Sequence, residues 1–124
     1  MYAITTTEAP RAFGASSQGT TSARFVFVSA QLPVDPATGD LAEGGVGAQT
    51  SCCIRNIAAV LAELELTLAD ITKTTVFLTS LADFEEMDEA YAARFPKPNP
   101  ARTIVGASEL PAGAAVQIEA IACR

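Results

Sequence analysis

The chain has 124 residues, 49% of them apolar, with 8 basic and 14 acidic side chains and a net charge of −6. That length fits one domain over residues 1–124, large enough to build a core without staples. No basic run and no Trp are present, so the electrostatic footprint of a nucleic-acid binder is missing, and the absence of histidine excludes Ser-His-Asp and Cys-His catalysis and histidine metal sites.

The first fourteen residues, "MYAITTTEAPRAFG", lack the basic and apolar regions of a signal peptide. No apolar run reaches the length of a membrane span. The expectation is a soluble, cytoplasmic protein without a membrane partner. A mean hydropathy of +0.28 is high for so small a chain and points to an oligomer that buries apolar surface between subunits.

In chain order, Met1–Thr5 reads as an edge strand. Arg24–Leu32 opens with the β-rich run Phe25 to Val28, and "DPATGDL" supplies a turn through Asp35, Pro36 and Gly39, which predicts a hairpin back to Asp40–Leu41. A first helix starts near Val46 to Thr50, after a glycine cluster, and carries an apolar stripe of Ile54, Ile57, Ala58, Leu61 and Leu64. Ile71 to Leu78 is a β-branched strand. In the second helix, "ADFEEMDEAYAARFP", Asp83 and Glu86 match a capping box. Phe84, Met87, Tyr91 and Phe95 form its buried stripe, and Pro96 ends it. "RTIVGAS" and "AVQIEAIAC" are two last strands joined through "ELPAGA". Strands and helices in this order predict a mixed sheet with both helices on one face, and an opposite face left to pack against another subunit.

Cys52, Cys53 and Cys123 are odd in number and two are adjacent, which suits neither a disulfide framework nor a metal site. They read as small buried hydrophobes in a reducing compartment.

"NPARTIV" places Arg102 at the start of an otherwise apolar strand. Arginine is almost never buried unless paired. If the last two strands pair antiparallel across the 108–114 loop, Arg102 falls opposite Glu119 on one face. Two readings are open. One is a structural cross-strand ion pair. The other is a site in which the guanidinium grips a small carboxylate and the nearby acid handles water.

The segments "TTEAPRAFGASSQG", "FVSAQLPVDPATGDL", "GGVGAQTSCCIRNIAAVLAELEL", "DITKTTVFLTSLADFEEMDEAY", "NPARTIV" and "LPAGAAVQIEAIA", taken in order, resemble the YjgF/RidA family, also called the reactive intermediate deaminase or L-PSP family. The resemblance covers nearly the whole chain. It implies a chorismate-mutase-like α/β (α+β) subunit with a mixed six-stranded sheet and two helices on one face. Three such subunits would form a homotrimeric barrel with clefts between them. It also implies hydrolysis of enamines and imines such as 2-aminoacrylate to 2-keto acids and ammonia, with no metal and no cofactor.

Carried over by position, Arg102 would hold the substrate carboxylate and Glu119 would be the acid at the attacking water. Ala30, in "SAQ", would line the cleft where the family usually has Gly. Ile104 stands where many deaminases have Cys, Asp88 where Asn is frequent, and Ser16, in "GASSQG", where a tyrosine is usual. Losing the tyrosine widens the pocket, and Asp88 would oppose an anionic ligand if it faces the cleft. The partner implied is a small carboxylate-bearing substrate. A trimer that binds a keto acid or amino acid without turnover is the alternative. Ribonuclease or translation-inhibitor activity, attached to the family by name, and chaperone-like holding are further readings, the first opposed by the charge and the missing histidine.

Overall fold

The computed structural model describes residues 1–124. Six strands form one mixed sheet: β1 (Tyr2–Ile4), β2 (Gly19–Ser22), β3 (Phe25–Gln31), β4 (Ile71–Leu78), β5 (Ala101–Gly106) and β6 (Val116–Cys123), in the order β1-β2-β3-β6-β4-β5. Two helices, α1 (Gly45–Ala62) and α2 (Phe84–Arg94), carry the connections β3 to β4 and β4 to β5. Both pack on one face. β4 and β5 run parallel, as strands joined by a helix do, and every other pair is antiparallel. No helix is long and apolar enough to cross a membrane.

Alternation along the strands sorts side chains by face. In β6, Val116, Ile118, Ala120 and Ala122 are buried under the helices, while Gln117, Glu119, Ile121 and Cys123 point the other way and are half-buried. The core closes on α1 through Cys53, Ile54, Ile57, Val60 and Leu61. Val60 and Cys53 join the predicted stripe, and Ala58 turns out of it. α2 contributes Met87, Tyr91 and Phe95 as expected, with Phe84 half-buried. The uncovered face carries Phe25 and Phe27, 52% and 41% exposed, with ring centroids 6.1 Å apart.

Several local expectations change. The turn after Leu32 forms, but it closes only a single bridge, Val34 to Leu41. The antiparallel partner of β3 on that side is instead β2, whose "GTTS" has no apolar signature. Its Gly19 lies so close to β3 that a Cβ would sit 2.9 Å from the Phe27 carbonyl oxygen. Asp83 makes no side-chain cap. Ser80 caps the short 3₁₀ turn Leu81–Asp83 instead, accepting from the Ala82 N–H. Glu86 reaches across to α1, where its Oε2 accepts the Gly47 N–H at 2.8 Å.

The largest correction concerns the last two strands. β5 and β6 do not pair; β4 lies between them, registered with Arg102 at Thr74 and with Glu119 at Thr75. The seven-residue spacing from 108 to 114 serves a hop over one strand as well as it serves a hairpin, since neighbouring strands are only about 4.8 Å apart.

Candidate active site

Arg102 sits on the edge strand β5 and shares a face with its neighbour Thr74, which is fully buried beneath the helices. It therefore leans toward α2. Phe84, Asp88 and Tyr91, at i, i+4 and i+7, line one stripe of that helix and meet it. Asp88 Oδ1 accepts from Arg102 Nη1 at 2.7 Å. The guanidinium carbon lies 4.7 Å from the Tyr91 ring centroid and 5.5 Å from that of Phe84. Ring faces attract a cation electrostatically, and two of them fix the plane of the fork.

Tyr91 is itself fixed. Its hydroxyl lies 2.7 Å from Thr74 Oγ1, and its ring stacks on Phe95 with centroids 4.3 Å apart. Burial raises the Tyr91 phenol above its usual pKa, against the lowering effects of the Thr74 hydrogen bond and the Arg102 charge. The ring is neutral at physiological pH. Ile104, two residues along β5, shares Arg102's face and is half-buried against the core.

A second group of residues lies on the uncovered face. A cleft of about 580 Å³ is lined by Ser16, Ser17, Phe27, Ser29, Ala30 and Glu119, among others. β3 is irregular between Val28 and Gln31 where it pairs with β6, and this bulge carries Ser29 and Ala30 to the cleft wall. Ser29 Oγ donates to the Ser17 carbonyl at 2.6 Å, tying the loop to β3. The loop is anchored by Gln18, whose amide is buried. Its Oε1 accepts the Thr6 N–H at 2.8 Å, and its Nε2 donates to the carbonyls of Thr6, Ala9 and Pro10.

Arg102, Asp88 and Ile104 thus come together on the helix side, and Ser16, Ala30 and Glu119 on the open side. The expected opposition of Arg102 and Glu119 does not occur. Thr74 and Thr75 are consecutive residues of β4 and point to opposite faces, and they carry Arg102 and Glu119 with them. The pair is not a cross-strand ion pair; the chain's one salt bridge joins Arg102 to Asp88. Asp88 faces the arginine, so its charge acts directly on the guanidinium.

Sequence reasoning assigned Phe84 and Tyr91 only to the core and overlooked Gln18. The 84/88/91 spacing held the signal for the first two. Nothing in the sequence singled out Gln18, because a buried amide announces itself only through its partners.

Cys52 and Cys53 are buried on α1, Cys123 is half-buried at the end of β6, and all three are free. Burial pushes the Cys53 thiol well above its ordinary range, with Cys52 adding to the shift, and burial raises Cys52 as well. They are not poised nucleophiles.

Among known proteins, the family described as Endoribonuclease L-PSP matches residues 6–124. A RutC family protein of Pyrococcus abyssi is 41% identical over 98% of this chain and 95% of its own length. A protein of Salmonella typhimurium named 2-iminobutanoate/2-iminopropanoate deaminase is 41% identical over 98% of this chain and 96% of its own. The crystal structure of E. coli TdcF with bound serine superposes with a TM-score of 0.93 at 35% identity, covering 100% of this chain and 99% of that one. With fold and sequence in agreement along the whole chain, this protein belongs to the Endoribonuclease L-PSP family, the family of the YjgF and RidA proteins.

Proposed function

We propose that this protein hydrolyses reactive 2-imino acids and their enamine tautomers to 2-keto acids and ammonia, in clefts shared between the subunits of a homotrimer. The observation that carries this reading is Arg102: a half-buried guanidinium on an edge strand, lying over two aromatic rings and held by Asp88 through one nitrogen. Fixed in plane, it matches a small carboxylate. The relatives named as imine deaminases, such as that of Salmonella typhimurium, supply the reaction class.

Arg102 and Glu119 lie on opposite faces of one sheet, so one subunit cannot bring both to the same small molecule. The uncovered face, with its exposed Phe25 and Phe27, offers the surface for a neighbour. A ring of three copies would set the Glu119 cleft of one subunit against the Arg102 edge of the next.

In that cleft the chemistry is short. Glu119 takes a proton from water as the water oxygen adds to the carbon of the protonated imine, and later returns that proton to the departing nitrogen. The resulting carbinolamine loses ammonia as its C–O bond becomes the keto carbonyl. Water supplies the oxygen and the hydrogens balance, so no oxidant or reductant is needed.

The test uses imines generated in situ by an amino-acid oxidase from a panel of amino acids. Imine disappearance should accelerate when the protein is added, for at least one substrate. No acceleration on any imine would reject the deaminase reading.

A second reading, a binding module for amino or keto acids, draws on the serine-bound TdcF structure. Glu119→Gln separates the two. A catalyst should keep its ligand and lose rate, whereas a binding module has no rate to lose.

A further inference from the structure

We infer that Asp88 and Arg102 act together as a reader of zwitterions. Arg102 would take the substrate carboxylate, and the free oxygen of Asp88 would take the protonated nitrogen on the adjacent carbon. The inference rests on the function proposed above and names its preferred substrate form, the 2-iminium acid, as opposed to the bare anion.

The ion pair joins Arg102 Nη1 to Asp88 Oδ1 at 2.7 Å. Asp88 Oδ2 and Arg102 Nη2 and Nε have no partner within the chain, and both side chains reach solvent, Asp88 at 44% exposure and Arg102 at 22%. The pair thus keeps unpartnered donors on Arg102 and an unpartnered acceptor on Asp88, on side chains that reach solvent. Tyr91 and Phe84 hold the guanidinium plane, and Thr74 holds Tyr91.

A bare carboxylate approaching this arrangement meets a neutralised pair and a carboxylate oxygen next to its docking position. Like-charge contact of this kind is costly. The other charges nearby are mixed, Glu85 and Glu89 on α2 against Arg94 on the same helix and Lys73 at Thr103, so the cost is set chiefly by Asp88 itself. A molecule with a cationic nitrogen one carbon away from its carboxylate completes an alternating set of charges. Asp88 also favours the protonated imine, the form to which water adds. The keto-acid product has lost that cation, so the same carboxylate opposes it and speeds its release.

Calorimetry on the full-length protein tests this with two probes, serine as a zwitterion and 2-oxobutanoate as an anion. Wild type should prefer serine. Asp88→Asn, nearly isosteric, should shift the serine to 2-oxobutanoate affinity ratio toward the anion by about tenfold or more, and 2-oxobutanoate should become a stronger product inhibitor. Asp88→Ser is the second variant should the first not fold.

Arg102→Lys should weaken both probes. If the ratio is unchanged in the Asp88 variants while Arg102→Lys still weakens both, the zwitterion reader is wrong and the carboxylate clamp stands. If neither probe binds wild type, or binding is indifferent to Arg102→Lys, the clamp falls and the reader falls with it.

Discussion

Lys at position 102 would keep the charge and lose the planar fork that Asp88, Tyr91 and Phe84 hold in place. Arg102→Lys should therefore fold and assemble but lose about 10²-fold in imine hydrolysis, roughly 3 kcal/mol of transition-state stabilisation, measured as initial rates beside an unchanged thermal melt. The thiols behave differently. Cys52→Ser and Cys123→Ser should leave turnover nearly intact, because neither is among the side chains that hold Arg102, which are Asp88, Phe84 and Tyr91, and burial keeps Cys52 protonated. A large loss of rate in a folded variant would give a thiol a role it lacks here.

Cys53 sets a pH signature. Its pKa is raised on folding, so the unfolded chain gives up that proton first and stability falls as pH climbs past about 9, while below that value it is unaffected. Thermal melts from pH 7 to 11 should show this decline, and Cys53→Ala should make it shallower, the remainder coming from Cys52 and Tyr91, which burial also raises.

At the scale of elements, two contacts link pieces distant in sequence. The Glu86 carboxylate satisfies the Gly47 N–H, one of the orphan donors in the first turn of α1. Glu86→Ala should cost about 1 kcal/mol in chemical denaturation without changing turnover. Gln18 holds the segment from Thr6 to Pro10 by four hydrogen bonds. Gln18→Ala leaves buried carbonyls unpaired, which should cost roughly 2 kcal/mol or more and open the N-terminal segment to limited proteolysis.

These elements also mark how far the sequence could be read. β4 and the α2 stripe announce themselves through β-branched runs and helical spacing, and the alternation in β6 assigns Glu119 to the open face. β2 escapes, because Gly, Thr and Ser carry no apolar period. Strand order escapes too: alternation says which face a residue takes but not which strand lies beside it. For that reason the need of Arg102 for a partner was legible, while the partner itself, Asp88, emerged only once α2 was folded over β5.

For the whole molecule, the open sheet face and the separation of Arg102 from Glu119 are what the proposed trimer has to account for. Sedimentation should find a trimer at micromolar concentration; a stable monomer would remove the shared cleft. The most direct test of that cleft is complementation. Arg102→Lys and Glu119→Gln subunits, each inactive alone, are unfolded together, refolded as mixed trimers and assayed for imine hydrolysis. If Arg102 of one subunit works with Glu119 of the next, random mixing restores intact pairs at about a quarter of the sites, and activity should recover to about that fraction of wild type. Mixed trimers as inactive as their parents would contradict a site shared between subunits.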